Sequence, residues 1–196
     1  MIRRHLANGV SLSRIILIVP WILANAAGSW LAPVILVLII VTDLIDGPIA
    51  RRLGTANERG AVIDAGSDAA VVIIGAFVLG TGDTRYFLLA ALMVLAFGSW
   101  YAGQSEQVRI GMRGDLGYTH LGRYNGVLCY GAVFFGNLVI LDSPLAGTVI
   151  REVLAAAEIF AASLTGILLI ISTRENLRTL HTLRGMQSVH RNFERS

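Results

Sequence analysis

The sequence predicts an all-α integral membrane protein with six transmembrane helices and further N- and C-terminal helices on the cytoplasmic surface. Three observations predict it. The 196 residues are 55% hydrophobic, with a mean hydropathy of +0.66, which excludes a disordered chain and argues against a water-soluble domain. Six apolar stretches follow one another, each near the roughly 20 residues that a helix needs to cross a bilayer. Arginine gathers on one side of the resulting topology. Helix is the only element that fits, because lipid satisfies no backbone polar group. The length accommodates a single domain spanning 1–196.

The first stretch runs from about Leu12 to Ala27, behind Arg3 and Arg4. With Ala24-Asn25-Ala26 it has the outline of a cleavable signal peptide. It is read as a retained span because everything after it is equally apolar. The second stretch covers about Leu31 to Ala50 and the third about Gly60 to Leu79. The fourth covers about Tyr86 to Ala102, the fifth Gly122 to Leu141, and the sixth Val149 to Ile171. Six spans place both termini on one side. All 16 basic residues are arginine, and only Arg85 and Arg151 fall on the other side, so the termini are expected in the cytoplasm. This asymmetry also accounts for the net charge of +3 without a nucleic-acid partner.

The far-side linkers, Gly28 to Trp30, Thr81 to Arg85 and Asp142 to Gly147, are too short for an outer domain. The longest cytoplasmic loop is expected from Gly103 to Leu121. In the tail after Ser172, Leu177, Leu180, Leu183 and Met186 recur at helical spacing, which predicts a basic helix lying on the anionic leaflet. Trp21, Trp30 and Trp100 are read as interfacial anchors near span ends. The single cysteine, Cys129, is read as a small core residue. Glu158 falls mid-span, to pair with Arg151 or another helix, beside a small-residue face of Ala155 to Ala157, Ala161 and Ala162.

The chemistry concentrates in residues 43–68. Asp43 and Asp46 are three apart near the cytoplasmic end of the second stretch. Asp64 and Asp68 are four apart at the start of the third, so each pair shares a helix face. Carboxylates at membrane depth are costly and need a compensating partner. A loop of about ten residues would let the two helices pack as antiparallel neighbours and bring four acids together. Such hard oxygen ligands suit Mg²⁺ or Mn²⁺, and two ions would clamp a phosphoryl displacement. Gly47 and Gly60 remove side chains where a ligand or backbone must approach. Ala61, Ala65, Ala69 and Ala70 give the third helix a close-packing face. Pro48 is expected to kink the helix or free a carbonyl beside the acids. Arg51 lies on roughly the face of Asp43, placed to hold a phosphate in bidentate fashion or to form a structural ion pair. By spacing alone, a cation transporter remains an alternative. The acids cluster at one helix end, away from the midplane where transporters place their sites, and no internal repeat accompanies them.

The full pattern is Asp43-x2-Asp46-Gly47-x2-Ala50-Arg51-x8-Gly60-x3-Asp64-x3-Asp68. It resembles the signature of the CDP-alcohol phosphotransferase family at every position. The segment Asn8-Gly-Val-Ser11-Leu-Ser-Arg14 resembles the family's N-terminal entry, with Ala7 in place of its proline. The resemblance implies a homodimer whose third and fourth helices line the partner, and CDP-diacylglycerol or a similar CDP-lipid as donor. It implies two divalent ions held by Asp43, Asp46, Asp64 and Asp68, with Asp68 also the general base. Gly47 and Arg51 would contact the diphosphate, with Asn8, Ser11, Arg14 and Gly60 on the same side. Asn57 stands where members often have Ser or Thr, with Thr55 a nearby substitute.

The resemblance implies a small alcohol as acceptor. Arg109, Arg113 and Arg123 gather near the site mouth with Tyr118, His120 and Asn125, which favours a phosphorylated acceptor such as glycerol 3-phosphate. Gly122-Arg123 resembles the Gly-Lys of the glycerophosphate-accepting members. Serine or inositol phosphate stays open as acceptor, as positive-inside charge does for Arg109 and Arg113.

Overall fold

The computed structural model describes residues 16–52, 58–109, 120–140 and 148–193. Side chains at 43, 44, 46–52, 58–64, 108–109, 120–124, 148–149 and 186–193 lie outside that description, as do all of residues 1–15, 53–57, 110–119, 141–147 and 194–196. Among the described residues the fold is all-helical: α1 (Ile16–Ala26), α2 (Leu31–Arg52), α3 (Glu58–Gly80), α4 (Arg85–Arg109), α5 (His120–Ile140) and α6 (Thr148–Phe193). Each apolar stretch of the sequence falls on one of them.

The turns follow from local chemistry. Gly28 has φ 59°, a left-handed conformation that costs glycine little. It closes α1 with Ser29 N donating to Ala24 O at 2.8 Å and Gly28 N to Asn25 O at 2.9 Å. Ser29 Oγ then accepts from Leu31 N at 3.3 Å and starts α2. Asp83 Oδ1 accepts from Arg85 N at 3.0 Å and starts α4. The side chains of Asp83 and Arg85 also pair, and this hydrogen bond holds the Asp83 carboxyl below the usual carboxylate range.

Three expectations are corrected. The tail after Ser172 is not a separate helix on the leaflet: α6 runs unbroken for 46 residues, about 69 Å at 1.5 Å per residue. No proline interrupts it, and its Leu, Arg and Glu residues carry the helix on. The loop expected from Gly103 does not start there, because α4 continues as helix through Gln104 and Gln107 to Arg109. The connection between α2 and α3 is shorter than ten residues, since α2 ends at Arg52 and α3 begins at Glu58. The N-terminal surface helix lies outside the described residues. α2 stays helical through Gly47 and Pro48.

Helix α6 packs along both α4 and α5, α3 against α4 and α5, and α2 on α5. The inward stripe of α6 is Glu158, Ala161, Thr165, Leu169 and Ser172, all buried, in steps of three and four. Thr165 Oγ1 ties it across to Leu128 O at 3.1 Å. α1 reaches α5 through Asn137 Nδ2, which donates to Asn25 Oδ1 at 2.7 Å. Trp21 is 2% exposed inside the core, which also corrects its reading as an anchor. Trp30, at the α1–α2 turn, is half exposed as an interfacial residue would be. α3 and α5 approach closely at Gly75, where an added Cβ would stand 2.8 Å from Val133 Cγ1.

At the end of the bundle where α4 starts, Glu158 is buried. Tyr86 OH donates to its Oε1 at 2.7 Å, with the Ala132 carbonyl 3.3 Å from the same hydroxyl. Arg85 stands 3.6 Å from Glu158 Oε2. The partners of Glu158 therefore come from another helix, one of the two arrangements anticipated.

The outer surface is apolar. Phe77, Leu88, Leu95, Val127, Phe160 and Ile167 are each more than half exposed, which a water-soluble monomer rarely tolerates over so wide an area. Helices α4 and α6 are long and apolar enough to cross a membrane, and only 39% and 22% of their most apolar windows are buried. A core helix of a soluble domain would be mostly buried. The apolar parts of α1, α2, α3 and α5 are shorter among the described residues.

Candidate active site at the α2–α3 end of the bundle

The predicted residues lie in the halves of α2 and α3 nearest the connection between them. Asp43, Asp46, Gly47 and Arg51 lie in the second half of α2, and Gly60, Asp64 and Asp68 in the first half of α3. Both helices are continuous across these positions, so Asp43 and Asp46 share a face of α2, and Asp64 and Asp68 share a face of α3. Arg109 is the last residue of α4, and Arg123 lies in the first turn of α5. Among all these, only the side chain of Asp68 lies within the described residues. Asn8, Ser11, Arg14, Asn57 and Arg113 lie outside them altogether. The described side chains contain no cluster of three or more metal-ligating groups, and three of the four acids are not among them.

Asp68 is half-buried and lines a cavity of about 140 Å³. Four helices build the cavity. α3 contributes Ala65, Asp68, Ala69, Val72 and Ile73, and α4 contributes Met93, Ala96, Phe97 and Trp100. Asn125 and Cys129 come from α5, and Leu169, Ser172 and Asn176 from α6. The small residues Ala65 and Ala69 leave the space beside Asp68 that larger side chains would fill. The wall is mostly apolar with a few polar groups placed on it, the usual make-up of a small-molecule site.

The polar groups are held differently from one another. Asn176 Nδ2 donates to Ser99 Oγ at 3.2 Å and to Ala96 O at 3.4 Å, tying α6 to α4 at the cavity edge. Phe97 and Trp100 stand tilted with ring centroids 5.7 Å apart. Asn125 is 7% exposed, and its Oδ1 has no hydrogen-bond partner among the described residues. A buried amide oxygen left unbonded costs about 1–3 kcal/mol, so it marks a position where a donor belongs.

The sequence places Asp68 and Asn125 at this end, and the structure brings the two onto one cavity. It misses Asn176 and Ser172, which composition assigns to a polar tail. Their signal is the step of four from Ser172 to Asn176, which continues the inward stripe of α6. Trp100 is read from sequence as an anchor and instead forms part of the cavity wall. Cys129 is buried, as its apolar surroundings predict.

A family model described as CDP-alcohol phosphatidyltransferase matches residues 4–172. No curated protein and no solved structure matches the chain.

Proposed function

Since the chain belongs to the CDP-alcohol phosphatidyltransferase family, we propose that it transfers a phosphatidyl group from CDP-diacylglycerol to a small phosphorylated alcohol and releases CMP. Glycerol 3-phosphate is the first candidate acceptor, with serine and inositol phosphate next. The observation that carries this reading is the seating of the motif. Asp43 and Asp46 on α2, and Asp64 and Asp68 on α3, occupy unbroken helices whose acid-bearing halves are joined by one short connection. Asp68 opens onto a cavity large enough for a small alcohol.

The family is in general dependent on a divalent metal. The donor set fits such ions: four carboxylates in two same-face pairs, all hard oxygen ligands that suit Mg²⁺ or Mn²⁺. In this reading Asp43, Asp46, Asp64 and Asp68 hold two ions, which supply charge neutralisation at the diphosphate. Arg51, with Asn8, Ser11, Arg14, Gly47, Asn57 and Gly60, holds the CDP-lipid. Asp68 takes the proton from the acceptor hydroxyl as its oxygen attacks the phosphorus that bears the diacylglycerol. The bond from that phosphorus to the CMP oxygen breaks, and CMP leaves with the electron pair. A carboxylate serves as such a base if it lies within hydrogen-bond reach of the hydroxyl. Arg109, Arg113 and Arg123 hold the acceptor phosphate.

The same reading places all six helices across the membrane, with both termini and the active site on the cytoplasmic side, and pairs two copies of the chain along α3 and α4. The exposed Phe77 and Phe87, whose rings meet edge to face at 5.2 Å, supply an apolar patch on that side. The test is CMP release from CDP-diacylglycerol by the purified protein with Mn²⁺ or Mg²⁺. It is run against glycerol 3-phosphate, serine and inositol 1-phosphate, with the lipid product identified by mass. Acceptor-dependent CMP release is expected. No release with any acceptor would refute the reading and leave cation transport or a scaffold role.

A further inference from the structure

We propose that the groove between α4 and α6, towards the end where α4 starts, binds one phospholipid with a primary-amine headgroup. Its phosphate meets Arg85, its ammonium meets Glu158, and one acyl chain lies between the two helices. This inference rests on the membrane setting of the bundle and not on the transfer reaction.

Place and size point to a lipid. The groove has a volume of about 380 Å³, within the roughly 300–1,000 Å³ of small-molecule sites. Its walls come from positions 85–92 of α4 and 158–170 of α6, whereas the cavity beside Asp68 uses 93–100 and 169–176 of the same helices. The two spaces therefore follow one another along the α4–α6 pair. From Glu158 to Ile170, α6 rises about 18 Å at 1.5 Å per residue. One leaflet of hydrocarbon is about 15 Å deep, half of the roughly 30 Å core, so the groove is one leaflet long. Leu88, Ile159, Ile167 and Ile170 on its rim are about half exposed or more, which opens it sideways to lipid. Ala162, Ser163 and Gly166 give it depth. An added Cβ at Gly166 would stand 3.9 Å from Leu92 Cδ1, an ordinary contact. Packing between the helices thus does not require this glycine, and the space beside it is left to an occupant.

Charge selects the headgroup. The charged residues that line the groove, Arg85 and Glu158, stand at one end of it. Arg85 Nε and Nη2 donate to Asp83, and Nη2 stands 3.6 Å from Glu158 Oε2. Arg85 Nη1 has no partner among the described residues, and a guanidinium edge suits a phosphate oxygen. Glu158 is more than nine-tenths buried. Its Oε1 accepts from Tyr86 OH, while Oε2 accepts no hydrogen bond among the described residues. An acid at membrane depth needs compensation, and its second oxygen has room for a donor. Asp83 and Glu158 stand against Arg85 alone, an excess of one negative charge, and Arg151 does not line the groove. A headgroup of net negative charge would add to that excess. A primary ammonium offsets it and donates N–H to Glu158.

The full-length protein is released from detergent micelles that carry phosphatidylethanolamine, phosphatidylcholine and phosphatidylglycerol in equal amounts, all with the same acyl chains. The lipids it retains are read by native mass spectrometry. Phosphatidylethanolamine is expected to be retained about 5-fold over phosphatidylglycerol, and about 3-fold over phosphatidylcholine, whose nitrogen has no N–H. Ser163→Phe, at an exposed position of α6 that lines the groove, should fill it and cut this retention about 5-fold. Ala156→Phe, equally exposed but outside the groove, should leave retention unchanged, so the difference between the two variants counts only lipid held in the groove. Glu158→Gln keeps an acceptor for Tyr86 and should bring phosphatidylethanolamine and phosphatidylglycerol to within about 2-fold of each other. If Glu158→Gln does not fold, the wild-type preference and the two Phe variants decide the matter. Equal retention of the three lipids would overturn the inference, as would equal retention by Ser163→Phe and Ala156→Phe. A preference for phosphatidylglycerol would overturn it too, and make the groove a site for anionic lipid. CMP release plays no part in this test, so the transfer reaction can fail while the lipid site stands.

Discussion

Gly136 is where the frame of this bundle can be tested most sharply. A Cβ built on it would stand 2.0 Å from Tyr86 OH and 2.4 Å from Tyr86 Cζ. Tyr86 is 2% exposed, and its hydroxyl is committed to Glu158, itself 2% exposed. Gly136→Ala must therefore drive the ring aside and break the bond to the buried acid. Overpacking of this kind costs about 1–3 kcal/mol, and a lost hydrogen bond to a charged group about 1.5–3 kcal/mol. The expected loss is their sum, roughly 2.5–6 kcal/mol. Gly131→Ala, in the same helix, meets nothing within 4 Å and should be neutral or stabilising by up to about 1 kcal/mol. The assay is equilibrium unfolding in mixed micelles with added SDS, followed by tryptophan fluorescence. Tyr86→Phe should cost about 2 kcal/mol in the parent and almost nothing in Gly136→Ala, since the bond is already gone. Because the clamp lies at the opposite end from Asp68, the protein that remains folded should keep its kcat. Equal costs for Gly136→Ala and Gly131→Ala, or strict additivity with Tyr86→Phe, would refute the steric argument.

The remaining predictions concern the site and one cap. Asp43→Asn or Asp64→Asn should abolish CMP release while the protein still inserts, and near-normal turnover in either would sink the two-metal reading. Asp68→Asn should keep most CDP-lipid binding yet lose kcat by about 100-fold or more; retained kcat with weaker metal affinity would make it a plain ligand. Arg123→Ala should raise the acceptor KM by an amount equivalent to about 2 kcal/mol, with the CDP-diacylglycerol KM unmoved, and an unchanged acceptor KM would leave it a topological arginine. Asp83→Ala should cost about 1 kcal/mol as a lost cap. Because the folded Asp83 carboxyl sits below its ordinary value of 3.8, its contribution is complete above that value and fades as pH falls through the lowered one. Melting curves of wild type and Asp83→Ala should therefore converge only in strong acid.

The helices are legible in the sequence because apolar runs end at residues with local reasons to turn the chain, such as Gly28 with Ser29 and Asp83 before Arg85. The far limit of α6 is not legible that way. At Ser172 the composition turns polar, but polar residues of good helix propensity extend a helix as readily as they coat a surface. The acids of the motif are legible because spacing alone puts each pair on one face. Trp100 and Asn176 are not, because an aromatic or amide near a span end has the same composition whether it meets headgroups or a cavity. Only the rotation of the helix decides, and that is set by partners distant in sequence, as Ser99 is for Asn176. Asn125 sits between these cases, since its neighbourhood is legible but its burial beside Cys129 is not.

The 46-residue α6 also gives the molecule a birth order. At roughly 5–20 residues per second, a ribosome needs about 2–9 s to make it. Through that interval α4 and α5 are already synthesised, but Tyr86 has no Glu158, Ser99 no Asn176, and the Leu128 carbonyl no Thr165. The nascent bundle then holds an open trough along α4 and α5, lined with polar groups awaiting partners and within reach of lipid. The cavity wall beside Asp68 is completed only when Leu169, Ser172 and Asn176 arrive. A chain stalled before α6 would thus carry every acid of the motif and still lack this wall of the cavity, so α6 closes the space onto which Asp68 opens.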